Sequence, residues 1–184
     1  DCDNQEACYV DADGDGFGGT SGAVVLSSSF TCSLNNQSTV STDCDDSDAQ
    51  IKPNVSEIVG DGVDQNCDGL EVCYQDSDGD AQGDGTPSNP INLASVPAGF
   101  DCTGLGIANN ADDCVDNNEY AFSGAGFSEQ PPLDLACVED FDGDGYGSTT
   151  APSGGEAGTD CDDTDPAAFP GGTEIPNDGI DQDC

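Results

Sequence analysis

The chain has 184 residues and a formal net charge of -38, from 39 acidic side chains against a single lysine, Lys52. Leu, Ile, Val and Phe together number 31, under a fifth of the chain, too little apolar surface to offset the entropy of ordering the backbone. Without clustered cations the sequence excludes nucleic acid and anionic membrane surfaces as direct partners, and it has no apolar run long enough to span a bilayer.

Order must therefore come from disulfides and metal ions, for which 11 cysteines and regularly spaced carboxylates provide the groups. The cysteines form no C-x-x-C pair and the chain has no His, so zinc and iron–sulfur ligation are disfavoured. They read instead as the disulfide framework of an extracellular or cell-surface protein.

In chain order, residues 1–7 look like the tail of a preceding motif, and a threefold repeat follows. The first repeat, residues 8–72, opens on Cys8-YVDADGDGFG. Asp11, Asp13 and Asp15 alternate ahead of Gly16 as in the first half of an EF-hand loop. A tight turn brings such carboxylates to one side, the glycine permits the bend, and the Phe17 carbonyl adds an oxygen. Position 12 of this loop is Gly22 rather than Glu, so the remaining oxygens must come from outside it. Asp43, Asp45, Asp46 and Asp48 of a second acidic cluster are the expected donors. A closing element then supplies Glu57, Asp61 and a further loop of the same kind, Asp64, Asn66 and Asp68 before Gly69. Apolar runs at 23–26 and 90–96 read as edge strands, turns dominate elsewhere, and no amphipathic helix longer than about two turns is expected.

The second repeat, residues 73–136, is degenerate. Asp76, Asp78 and Asp80 keep the loop pattern, but Ala81 replaces the bend glycine and weakens the expected site, with Gln82 and Asp84 as further donors. Asp112, Asp113 and Asp116 form its second cluster, and Glu129-QPPLDLAC stands where the closing element would be. The third repeat, residues 137–184, restores the full loop with Asp140, Asp142, Asp144, Gly145 and Tyr146. Its second cluster is Asp160, Asp162, Asp163 and Asp165; its closing element has Glu174, Asp178, Asp181 and Asp183 and breaks off at Cys184. Asp1 and Asp3 would complete that element if another copy followed. This phase implies an array with a period near 182 residues, or subunits that complete each other's motif.

All-oxygen donor sets without His, Met or free thiolate suit Ca2+, several ions per chain, over copper or zinc, and ligand-rich loops suit it over Mg2+. The expected fold is irregular and small all-β, built from disulfide-stapled calcium-loop repeats with little regular secondary structure. Cysteine spacing suggests the pairs Cys2–Cys8, Cys67–Cys73, Cys32–Cys44, Cys102–Cys114 and Cys137–Cys161. Cys184 is then left to pair beyond the chain, or with a residue outside this sequence.

The combined pattern DxDGDG(F/Y)G, DCDD-x-D and E-x-x-x-DG-(I/V)-DQ-(N/D)-C resembles the MopE-type metal-binding repeats of secreted bacterial proteins, best over residues 8–69 and 137–184. The acidic loops are also similar to thrombospondin type 3 repeats, which wrap calcium with little regular structure. The resemblance implies an extracellular, calcium-ordered stalk, adhesin or matrix component; copper binding is not carried over, because the chain has no His or Met.

The expected function is a surface fibre, stalk or matrix filament that self-associates head to tail. A monomeric calcium-dependent adhesion or glycan-binding module is the alternative. Enzymatic activity is not expected, since the chain offers no His or Arg and its cysteines look paired. Lys52 reads as a lone lysine on a solvated face.

Overall fold

The computed structural model describes residues 6–27, 31, 32, 34, 36–85, 93–97, 99–104 and 106–184. Eight short strands carry the fold: β1 (Glu6–Val10), β2 (Val24–Ser27), β3 (Gln37–Ser38), β4 (Leu70–Gln75), β5 (Leu93–Pro97), β6 (Ile107–Ala108), β7 (Ala121–Ser123) and β8 (Cys137–Glu139). One 3-10 turn at Leu133–Leu135 is the only helical element among the described residues. The protein is thus an irregular, small all-β molecule. Both apolar runs form edge strands, the second within its described part, since β2 and β5 lie outermost in the sheets β2-β1-β3 and β5-β4-β6.

These two sheets share one plan. The central strand carries the opening cysteine and leads into the acidic loop, and a two-residue strand flanks it in matching antiparallel register, Tyr9 opposite Ser38 and Tyr74 opposite Ala108. The third repeat departs from the plan: β8 pairs with β7, which precedes it in the chain, Phe122 lying opposite Val138. Even so, the first loop aspartate is held alike in each repeat. Asp11, Asp76 and Asp140 donate their backbone N–H to the carbonyls of Asn36, Gly106 and Tyr120 respectively. The chain divides into two compact units, Asp1–Val72 with Ser95–Asp101, and Cys73–Ala94 with Cys102–Cys184.

The interior is unlike an ordinary core. Among the described residues its buried apolar side chains are Cys8, Cys32, Cys73, Cys102, four alanines and Val138, whereas Asp11, Asp43, Asp76, Asp113, Asp140 and Asp160 are buried carboxylates. Meanwhile Val24, Leu26 and Phe127 are exposed. Burial of apolar surface cannot be what chiefly orders this chain.

Cystines do part of that work, and their pairing corrects the one expected from spacing. The bonds are Cys8–Cys32, Cys44–Cys67, Cys73–Cys102, Cys114–Cys137 and Cys161–Cys184. Cys67 and Cys73 cannot join, because β4 runs extended through Leu70–Gln75 and carries Cys73 away. Cys32–Cys44, Cys102–Cys114 and Cys137–Cys161 do not form either: Cys32 and Cys102 are taken by the strand cysteines Cys8 and Cys73, and Cys137 by Cys114. Each cluster cysteine bonds instead to one 23 residues later. Cys137 exchanges roles, since the middle repeat lacks a closing-element cysteine and the last lacks a partner like Cys32. Cys184 is bonded within the chain, not left for another subunit. Cys2, Asp1 and Asp3 lie outside the described residues. Closing loops of this length contributes about 3 kcal/mol per bond in the chain-entropy picture.

Candidate metal centres

Each acidic loop is shaped by its own carboxylates. In the first repeat Gly14 and Gly16 donate their N–H groups to Asp11 Oδ1 (2.7 Å) and Oδ2 (3.1 Å). The N–H groups of Asp15 and Phe17 reach Asp13 Oδ1 (3.1 Å) and Asp15 Oδ1 (2.8 Å). The last repeat repeats this bond for bond: Gly143 and Gly145 on Asp140, Asp144 on Asp142, and Tyr146 on Asp144. One oxygen of the second and third aspartates thus fixes the turn and the other is left over. Positive φ at Gly16 (100°) and Gly145 (92°) makes the bend.

The second cluster reaches the loop through backbone pairing. After the turn the chain forms a short parallel bridge, Gly19 with Asp43 and Ser148 with Asp160. Asp43 donates its N–H to Gly18 O (3.1 Å) and accepts from Thr20 (2.8 Å); Asp160 does the same with Gly147 and Thr149 (2.8 and 3.0 Å). A side chain three residues on closes the arrangement: Asp46 Oδ1 accepts from Ala12 N–H, and Asp163 Oδ1 from Phe141 N–H, both at 2.8 Å. Oxygens of Asp11, Asp13 and Asp15 lie within 4.8 Å of one another, as do those of Asp13, Asp43 and Asp46, and those of Asp140, Asp142 and Asp144.

The decisive feature is what these oxygens lack. Asp13, Asp15 and Asp43 each keep a buried Oδ2 with no hydrogen-bond partner, and so do Asp142, Asp144 and Asp160. Like charges held together out of water are costly unless a cation answers them. Burial, reinforced by neighbouring carboxylates, pushes Asp160 and Asp163 up to about 6 and raises Asp43 above the usual carboxylate value. The donors are all hard oxygens, a set that fits a hard metal cation.

Lys52 is not on a solvated face. Its ammonium stands 3.5 Å from Asp15 Oδ2, an ion-pair distance beyond hydrogen-bond range, and its side chain is largely covered.

Other predicted donors are placed differently. Asp45 and Asp162 accept from the hydroxyls of Ser47 (2.6 Å) and Thr164 (2.7 Å), and Asp48 and Asp165 cap the turns at Gln50 and Ala167. Asp112 is exposed. Asp61 and Asp178 spend both oxygens on a backbone N–H and on the side-chain amide of Gln65 or Gln182. Those buried glutamines also accept from Ile58 and Ile175 N–H and so clamp the closing elements. The closing element does form a loop of the acidic kind: Asp64 accepts from Asp68 and Gly69 N–H, Asn66 from Asp68, and Asp68 from Leu70. Glu57 Oε1 accepts from Asn66 N–H (2.8 Å), and its Oε2 is buried without a partner. In the last repeat Glu174 accepts from Gln182 N–H, and the Asp183 carbonyl accepts from Gly171 N–H (3.3 Å), while the Asp181 carbonyl lies 3.5 Å from Cys161 Sγ.

Sequence reading missed Glu71, fully buried on β4 with Oε1 accepting from Gly60 N–H (3.2 Å) and Oε2 unpartnered. Its signal was the two-residue period shared with buried Cys73 on the same strand face.

Residues 43–72 and 160–184 match the family Cu-binding MopE, described as "Putative metal-binding motif". The chain therefore carries this MopE-type motif twice, in the first and last repeats, and the matched segments begin at the two bridging aspartates, Asp43 and Asp160. No curated protein and no solved structure matches the chain.

Proposed function

We propose that this protein is an extracellular, calcium-stabilised structural repeat that builds a surface fibre, stalk or matrix filament. The observation that carries the reading is the trio of buried carboxylate oxygens, left without a hydrogen-bond partner, which loop and bridging aspartate supply in the first and last repeats. Calcium rather than the copper of the family's name follows from the donor set: no His, no Met, and every described cysteine in a disulfide. At the millimolar calcium of extracellular fluids even a modest site adds stability by mass action, about 2.7 kcal/mol at a hundredfold excess over Kd. Five described disulfides agree with an oxidising compartment, and among the described residues no helix is long and apolar enough to cross a membrane.

Assembly is supported by the outer strand β2, whose Val24 and Leu26 are 57% and 65% exposed. An edge strand of this kind is a template for pairing with another chain, and bound cations would relieve the repulsion between copies so strongly acidic. Electron microscopy of the native material with calcium, and again after EGTA, tests the proposal. Filaments with calcium that soften or dissociate on chelation are expected. Discrete particles in both conditions would sink the fibre and leave a monomeric calcium-dependent adhesion or glycan-binding module.

A further inference from the structure

We infer that the middle repeat holds a divalent cation of its own, between the loop at Asp76, Asp78 and Asp80 and the bridging Asp113, in a segment outside both regions of the family match. The inference rests on reading the outer two centres as metal sites.

The substitution of Ala81 for the bend glycine argues against a site in the sequence, and the structure removes the objection. Ala81 adopts φ 72°, in the same left-handed region as Gly16 and Gly145. Its N–H donates to Asp76 Oδ2 at 3.1 Å, as Gly16 does to Asp11. The other turn bonds are present too, Gly79 on Asp76 (2.6 Å), Asp80 on Asp78 (3.2 Å) and Gln82 on Asp80 (2.6 Å). A left-handed conformation is unfavourable for a residue with a Cβ, and such strain persists only where the surroundings over-determine it.

Second-cluster groups arrive by the same route. Asp84 and Asp113 form the parallel bridge, with Asp113 N–H on Gly83 O (3.0 Å) and Gly85 N–H on Asp113 O (3.2 Å). Asp116 accepts from Ser77 N–H (2.9 Å) and Ser77 Oγ (2.6 Å), the counterpart of Asp46. Asp113 is 1% exposed, and its Oδ1 accepts from Val115 N–H (2.7 Å). The Oδ2 atoms of Asp78, Asp80 and Asp113 are buried without a hydrogen-bond partner, the same three positions as in the outer repeats. Among the described residues no salt bridge involves this cluster, for the one ion pair lies in the first repeat. A hard, doubly charged cation is the ligand that answers three such oxygens.

The test is calcium stoichiometry, by native mass spectrometry and calorimetry, on the full chain and its Asp113→Asn, Asp160→Asn and Ala81→Gly variants. Asparagine can still accept from Val115 and removes a buried charge, so Asp113→Asn should fold and bind one calcium fewer than the parent, as Asp160→Asn should. Ala81→Gly should tighten one calcium site severalfold, a gain that unfolding cannot mimic. An unchanged count in Asp113→Asn with an unchanged titration of Ala81→Gly would overturn the middle site and leave the outer two standing. A parent chain that binds no calcium would overturn the outer reading as well.

Discussion

The first and last repeats hold the same loop in different surroundings. In the first, the loop leaves a three-stranded sheet, is steadied from β3 downstream, and keeps the Lys52 ammonium beside Asp15. In the last, β8 pairs with β7, from upstream, in a two-stranded sheet, and Glu129 of the substituted segment ties the centre together by accepting from Gly147 N–H (3.2 Å), Thr159 N–H (2.7 Å) and Thr159 Oγ1 (2.8 Å). The ring of Tyr146 stacks on Phe169 at 5.2 Å. The sheet, the partner of the opening cysteine and the neighbouring side chains differ, while the turned carboxylates, the parallel bridge and the cystine from second cluster to closing element recur. That contrast identifies the carboxylate constellation as the fixed object and the sheet as its adaptable support.

If so, removing the ion should damage both ends alike despite their different scaffolds, and this is the largest effect expected. Stripping calcium with EGTA should lower the unfolding midpoint by roughly 10 °C or more, given a few kcal/mol lost at several sites. The chain should expand while its disulfides stay intact. Calorimetry with and without calcium checks this, and small-angle scattering follows the expansion. A midpoint indifferent to EGTA would mean that the cystines alone order the fold.

A smaller effect sharpens the comparison through pH. Asp160 is pushed up to about 6 by burial, and Asp43 is raised for the same reason. In the metal-free protein a raised folded value means the protonated form suits the fold. That contribution to stability is fully present below the unfolded value near 4 and is lost as pH rises through about 6. EGTA-treated protein should therefore become more compact and more stable on acidification from pH 7 towards 4. Calcium affinity should fall over the same window, because binding has to displace those protons. Titration at pH 7 and at pH 5 in two buffers of different ionisation enthalpy measures the protons released. Equal affinity at both pH values, with no proton release, would contradict the assigned ligands.

How much of this was legible in the sequence follows from how far each feature reaches along the chain. The Asp11-to-Phe17 turn is local, its bonds spanning two to five residues, so its alternate carboxylates could be read directly. So could the thin, turn-rich β structure, which follows from an excess of Asp, Gly and Ser. Cystine pairing was not legible, because it depends on the bridge of Asp43 to Gly19, 24 residues apart, which decides where Cys44 goes. Equal spacings of 5 and 11 were a misleading guide, since they ignored the strands that begin between those cysteines. Gln65 and Gln182 sat in plain view in the repeated Asp-Gln pair of the closing elements. Their repetition was the available sign that the amide, and not only the acids around it, has a task.

The smallest effect concerns the chain's one lysine, and it would make the first repeat resemble the last. Lys52 and Phe169 occupy matching places, each donating its backbone N–H to the carbonyl of the closing-element glutamine, Gln65 at 2.8 Å and Gln182 at 3.1 Å. In the last repeat that place holds a ring packed against Tyr146; in the first it holds a tethered cation facing an oxygen the metal would need. An ammonium there competes with calcium for Asp15. Lys52→Phe should therefore tighten the first site by about two- to fivefold, the scale of a partly screened ion pair, without changing stoichiometry or the last site. The metal-free chain should lose a little stability, because Asp15 then has no counter-charge. Calorimetric titration at low and at moderate salt separates the two terms, since the gain in calcium affinity should shrink as salt screens the lysine. Weaker calcium binding in Lys52→Phe would show instead that the ammonium supports the first centre, and the two repeats would then differ in mechanism as well as in scaffold.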